Sequence, residues 1–166
     1  DVYKRQRNIS LAFQDNCLFP HYTVEKNIKI AINKNKNSTK KISTEFIVKL
    51  LNLNSVLKKF PHQISAGEAQ RVSLARSLVF EPDLLLLDEP LSNLDAKLRN
   101  QMRIELLELH NKLQITTIFV THDQEEANSI SDNIAIFNEG IIQQVGAPID
   151  LYNNPENLFV ANFLGT

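Results

Sequence analysis

Four consecutive leucines at 84–87 run directly into Asp88, Glu89 and Pro90. No other segment limits the possible folds so strongly. An aliphatic run of strand length suggests burial on both faces, the habit of parallel sheets covered by helices. Pro90 cannot donate to a ladder, so the strand ends there. Ligand sites in open parallel sheets lie at the carboxyl ends of the strands, and Asp88 and Glu89 fall at that end. Asp88 is suited to hold Mg2+, directly or through water, and Glu89 to polarise an attacking water. A buried strand closing in an acidic turn would read the same, so the chemistry needs support from the neighbours.

Those neighbours alternate strand and helix. Residues 9–13 form a strand candidate ending at Gln14. Thr23 caps a helix over 24–32 with Val24, Ile28, Ala31 and Ile32 on one face. Residues 33–41, rich in Asn and Lys without apolar periodicity, read as an exposed loop. Two short helices are expected over 44–52 and 54–60, the second stopped by Pro61. Ser65 caps a helix reaching about residue 80. A long amphipathic helix over 96–113 carries Leu98, Met102, Leu106, Leu109 and Leu113 on one stripe. A β-branched strand follows over 115–121, then a helix over 123–130. Strands at 134–137 and 141–145 flank Asn138, Glu139 and Gly140, a hairpin signal. Short helices at 149–153 and 158–163 close the chain. This alternation implies an α/β fold with a mostly parallel sheet, and the strandless stretch 33–61 implies an inserted helical subdomain.

Composition removes several classes. The formal net charge is −1, which offers no basic surface for nucleic acid. The single cysteine, Cys17, makes no internal disulfide and is expected to be a packed bystander. No stretch approaches the roughly 20 apolar residues of a membrane span, and the polar residues 1–6 lack a signal-peptide h-region. The chain is expected to be cytosolic or to reach a membrane through another protein.

Ser65, Ala66, Gly67 and Glu68 open the helix that continues through Gln70, Arg71, Val72, Ser73, Leu74, Ala75, Arg76, Ser77 and Leu78. The first N–H groups of a helix are unpaired and partly positive. A terminal phosphate suits that end, with the Ser65 hydroxyl as an added donor and Gly67 permitting close approach. An ordinary capped helix has the same look. The run, however, resembles the signature motif of ABC ATPases, Leu-Ser-Gly-Gly-Gln followed by Gln-Arg-Val-x-Leu-Ala-Arg-Ala-Leu. Asp88 and Glu89 resemble that family's Walker B element, Ser92-Asn93-Leu94-Asp95 its D-loop, Thr121-His122-Asp123 its H-loop, and Gln14 its Q-loop glutamine. Five motifs stand in order at matching spacing, from about Arg7 to the end. The resemblance implies a P-loop NTPase core of three layers: a helical subdomain over about 15–80, the remaining core over 81–147, and closing helices over 148–166.

The resemblance also implies roles. Two subunits pair head to tail, each ATP lying between one subunit's P-loop and the other's signature segment. Ser65, Ala66, Gly67 and Glu68 would face the partner's γ-phosphate, and Asp95 would link the two sites. Asp88 and Gln14 would serve Mg2+, Glu89 would be the general base, His122 would steady γ-phosphate and water, and Gln14 would couple the site to transmembrane permease subunits. A solute-binding protein would act indirectly, and the subunit would sit on the cytoplasmic face of the membrane. Two positions depart from the motif: Ala66 replaces a glycine, tolerable if its φ is negative, and Glu68 replaces a glutamine, putting negative charge near the phosphate.

The P-loop pattern G-x-x-x-x-G-K-[ST] is absent, for the four glycines stand at 67, 140, 146 and 165. The expectation is that the loop precedes residue 1, that a β-rich regulatory domain follows residue 166, that the isolated chain binds ATP poorly, and that its sheet lacks strands beside the one carrying Asp88, leaving apolar surface uncovered. Residues 139–148 and 151–165 resemble the end of the nucleotide-binding domain in importers of sugars, glycerol phosphate, polyamines, iron or sulfate. Residues 157–161 and 93–99 look most like the sugar and glycerol-phosphate branch. A soluble ABC ATPase acting on DNA or ribosomes would need a coiled-coil insertion, a tandem cassette or a basic face, which this sequence lacks. Degeneration of the parent ATPase is opposed by the retained Glu89 and His122, whereas the chain as given, without the P-loop, is expected to be inactive and at most to bind a partner.

Overall fold

The leucine run forms β2 (Leu84–Asp88), the middle strand of a three-stranded parallel sheet ordered β1-β2-β3, with β1 at Ile9–Ala12 and β3 at Thr116–Val120. The computed structural model describes residues 8–12, 17–32 and 43–165. Leu85 pairs with Ser10 on one side and Thr117 on the other, and Asp88 pairs with Val120. The expectation that strands would be missing beside β2 is therefore corrected: β1 and β3 both flank it. The apolar surface that was expected to be uncovered lies instead on the two edge strands, where Ile9, Leu11, Ile118 and Val120 are exposed. Burial of β2 on both faces is also corrected. Leu85 and Leu87 are buried while Leu84 and Leu86 are only half-buried, because side chains alternate across a strand and one face lacks full cover among the described residues.

Around this sheet, residues up to 120 form one compact unit. It contains α1 (Val24–Ile32), α2 (Thr44–Leu50), α3 (Ala66–Leu78) and α4 (Ala96–Leu113). α1 packs on α3, and α3 on β1. The apolar face of α1 buries Val24 and Ile28, but it also buries Asn27, while Ile32 stays exposed. Asn27 is fully satisfied. Its Oδ1 accepts from the Phe19 N–H at 2.8 Å, and its Nδ2 donates to the carbonyls of Phe19, Tyr22 and Thr23, which folds the preceding turn onto the helix.

The helix expected over 54–60 does not form. One 3-10 turn spans Asn54–Val56 and another Pro61–Gln63. The Lys59 N–H donates to the Val56 carbonyl, an i to i−3 bond that closes a tight turn in place of an α-helix. The carbonyls of Leu57 and Lys59 accept from the backbone N–H groups of Glu25 and Val24, satisfying two of the orphan donors at the start of α1. α3 ends two residues earlier than expected, with Val79 as its C-cap.

Residues from 121 onward form a second unit. α5 (Gln124–Ile130) is followed by the antiparallel pair β4 (Ile134–Asn138) and β5 (Ile141–Gly146), then α6 (Pro148–Asn153) and α7 (Leu158–Leu164). Ile134, Ile136, Leu151 and Val160 make its core, with Ala127, Phe163 and Leu164 packed against them. The hairpin turns at Glu139 and Gly140, both left-handed at φ 49° and 78°, the geometry of a type I′ turn. Among the described residues no helix is long and apolar enough to cross a membrane.

Candidate functional site

Ser65 begins α3 as its N-cap, with φ −69° and ψ 163°. Its Oγ accepts from the Glu68 N–H at 3.2 Å, and its own N–H donates to Glu68 Oε2 at 2.7 Å. This is a reciprocal capping box. The Ser65 hydroxyl also donates toward the Glu68 carboxylate, so it is engaged within its own turn. Glu68 takes a local role that the sequence comparison did not foresee: its carboxylate turns back on the start of its own helix. The Ser65 backbone N–H holds that carboxyl below the ordinary value of 4.5, with the Ser65 hydroxyl, Lys59 and Arg71 adding to the shift against partial desolvation. Ala66 is the first residue of α3 and is not among the left-handed residues, which meets the condition for an alanine there.

Gly67 is buried, and a Cβ built on it would lie 2.8 Å from Leu98 Cδ2 and 3.0 Å from Leu98 Cδ1. The glycine thus lets α4 approach α3. Asp95 is the N-cap of α4, its Oδ1 accepting from the Leu98 N–H at 3.0 Å. Leu98 therefore joins Gly67 and Asp95, two of the expected site residues, through one residue that sequence reasoning had placed only on an apolar stripe. A second tie lies further along the same helices, where Arg71 Nη1 donates to both Glu105 carboxylate oxygens at 3.3 Å.

Asp88 ends β2 and is exposed, whereas Glu89 is half-buried. Glu89 departs from ordinary backbone geometry, with φ 43°. Its N–H donates to the Val120 carbonyl at 2.9 Å, and its own carbonyl accepts from Ser92 Oγ at 2.9 Å and Ser92 N at 3.3 Å. Among the described residues no group of three or more His, Cys, Asp or Glu could cage a metal. A lone exposed carboxylate at a strand end nevertheless fits Mg2+, which keeps several waters and is shared between one or two carboxylates and substrate phosphates.

His122 belongs to the second unit and is exposed. Its two neighbours are tied down. Thr121 Oγ1 donates to Glu126 Oε2 at 2.7 Å and accepts from the Asp123 N–H at 3.0 Å, while Asp123 Oδ1 caps α5 by accepting from the Glu126 N–H at 3.1 Å. Glu126 is buried, a supporting residue that the Asp-x-x-Glu spacing at a helix start could have revealed. Gln14 lies outside the described residues. An apolar groove lined by Ile9, Leu11, Phe19, Ile30, Arg76 and Phe80 contains none of the expected site residues.

The chain is similar to several known proteins. It is 48% identical over 167 residues to the Fe(3+) ions import ATP-binding protein of Fusobacterium nucleatum, covering 99% of this chain and 45% of that protein. It is 47% identical to the spermidine/putrescine import ATP-binding protein of Desulfitobacterium hafniense, covering 99% and 48%, and 46% identical to the sn-glycerol-3-phosphate import ATP-binding protein of Jannaschia sp., again covering 99% and 48%. The chain thus spans about half the length of the curated relatives it matches. Among solved structures it is similar to CbiO1 of Clostridium perfringens, part of the CbiONQ ABC transporter complex, at TM-score 0.75 and 28% identity over 90% of this chain and 61% of that one. It is also similar to a dimeric ATP-binding cassette in a post-hydrolysis state bound to ADP and Pi, at TM-score 0.69 and 25% identity over 86% and 63%. These neighbours are ABC ATPase domains, of the P-loop NTPase class, and the α/β architecture with a parallel sheet is theirs. The ABC transporter family profile matches residues 1–92, more than half of the 166, and the chain belongs to that family.

Proposed function

We propose that this chain is part of the ATP-hydrolysing subunit that powers solute import by an ABC transporter. The observation that carries the reading is the acid pair at the carboxyl end of the central strand, where Asp88 is open to solvent and Glu89 is held in a left-handed conformation. Glu89 accepts the proton of the attacking water. Asp88 holds Mg2+, which supplies charge neutralisation on the transferring phosphoryl group. His122 orients the γ-phosphate and water, and Gln14 senses the metal and contacts the permease. The Ser65 hydroxyl and the N–H groups opening α3 meet the γ-phosphate held by a second subunit, paired head to tail, and Asp95 links the two sites. The subunit works at the cytoplasmic face of the membrane, on permease subunits supplied by a solute-binding protein. Support comes from relatives named as import ATP-binding proteins.

The finer reading keeps the sugar and glycerol-phosphate branch, on residues 157–161 and 93–99. Relatives named for iron, polyamine and glycerol phosphate stand at 48%, 47% and 46% identity, so uptake assays with each solute class must choose among them. The 166 residues alone, which hold no G-x-x-x-x-G-K-[ST] loop, bind ATP weakly in this reading; micromolar affinity in a fluorescent-nucleotide titration would refute that.

The central test is ATP hydrolysis by the intact subunit that contains this chain. Glu89→Gln should lower kcat at least about 100-fold and leave nucleotide binding intact. Hydrolysis at the wild-type rate in E89Q would remove Glu89 from its role.

A further inference from the structure

We propose that Ser92 is a positioning residue for Glu89, holding the backbone conformation from which the Glu89 carboxylate is presented at the end of β2. The proposal rests on the reading of Glu89 as the base. A residue with a Cβ seldom adopts φ 43°, because the left-handed region crowds that atom against the backbone. Pro90 adds a second penalty, since the residue before a proline is pushed toward extended, negative-φ conformations. Such a conformation persists only where the surroundings over-determine it. At Glu89 they do so from both sides. On the amino side its N–H donates to the Val120 carbonyl at 2.9 Å, extending the β2–β3 ladder by one group. On the carbonyl side Ser92 supplies two donors, Oγ at 2.9 Å and N at 3.3 Å.

The two Ser92 bonds differ in what they require of the sequence. Any residue but proline at 92 could supply the backbone N–H, and that bond is the longer. The hydroxyl is specific to Ser or Thr and makes the shorter bond. Remove it, and the shorter of the two Ser92 bonds to the Glu89 carbonyl is lost, against a backbone preference and a proline that both favour negative φ. Relaxation of φ turns the Cα–Cβ bond and swings the carboxylate away from the strand end. A displacement of about 1 Å in a catalytic group is enough to slow phosphoryl transfer many-fold. Ser92 also lies in the turn that leads to Asp95, so the same hydroxyl ties the base to the loop whose Asp95 caps α4.

The experiment uses the intact subunit in complex with its permease. Ser92→Ala should lower kcat roughly tenfold with KM for ATP within about twofold, and Ser92→Thr, which keeps the hydroxyl, should recover about half or more of the wild-type kcat. A merely structural residue would not show rescue that depends on the hydroxyl. Thermal melts give a second readout without activity. Ser92→Ala should lower the midpoint in the wild-type background and lower it far less in an E89G background, where no Cβ needs restraining. If S92A keeps the wild-type kcat while E89Q is inactive, the positioning role is overturned and the base assignment stands. If E89Q is active, the base assignment falls, and the melts decide the clamp by themselves. Equal S92A shifts in both backgrounds would overturn it.

Discussion

Leu98 of α4 lies against Gly67 of α3 so closely that a Cβ on Gly67 would sit 2.8 Å from Leu98 Cδ2 and 3.2 Å from Leu98 Cγ. Three atoms of one side chain crowd the same point, so the conflict cannot be relieved by moving a single methyl. Gly67→Ala should destabilise the chain by about 1 kcal/mol, although alanine is the better helix former. In an L98A background the same substitution should become stabilising, by several tenths of a kcal/mol. Urea unfolding of the four proteins gives the cycle; a G67A cost that survives in L98A would show that Leu98 is not its cause.

The capping box gives a stability and a pH prediction. Ser65→Ala removes the acceptor of the Glu68 N–H and should cost about 1 kcal/mol. Glu68 has its folded pKa lowered, chiefly by the Ser65 N–H. Its ionised form therefore adds stability that is fully present above the unfolded carboxyl value and is lost as pH falls through the lowered folded value. The stability difference between wild type and E68Q should be constant above about pH 5.5 and shrink on acidification below about pH 4.5. A difference that does not change across that window would contradict the assignment.

Ser73, on the buried side of α3, is 1% exposed, and its Oγ has no hydrogen-bond partner among the described residues. A buried unsatisfied hydroxyl costs about 1–3 kcal/mol. Ser73→Ala should thus raise stability by about 1 kcal/mol, unlike most core truncations. A lower urea midpoint in S73A would mean that the hydroxyl is satisfied in solution.

In the second unit, Gly140 has φ 78° with nothing within 4 Å of the place a Cβ would occupy. Gly140→Ala should cost about 1 kcal/mol through backbone strain alone. Glu139 is left-handed at φ 49°, a conformation that asparagine tolerates better, so Glu139→Asn should stabilise by several tenths of a kcal/mol. Opposite shifts in melting temperature check the pair; shifts of one sign would argue against a type I′ turn in solution.

The sequence was most informative where the cause is local. Ser65 caps the helix that follows, as its place before that helix suggests. The residues around Glu139 turn a hairpin. It misled where a distant group intervened. A helix was expected over 54–60, yet the segment closes in tight turns, and its Leu57 and Lys59 carbonyls accept from Glu25 and Val24, more than thirty residues away in sequence. Asn27, which no local pattern marks out, is buried by a turn in which it bonds the Phe19 N–H and the carbonyls of Phe19, Tyr22 and Thr23.

By itself, then, the sequence determined the order of the elements and put Asp88 and Glu89 at a strand's carboxyl end, because strand period, proline and helix caps act within a few residues. Only the tertiary structure decided the conformation of Glu89 and the contact between Gly67 and Leu98. The first depends on a carbonyl of β3, thirty-one positions away, and on the turn through Ser92. The second depends on how near two helices approach. Packing and long-range hydrogen bonds can override a local backbone preference of about 1–2 kcal/mol, and no pattern confined to neighbouring residues records them.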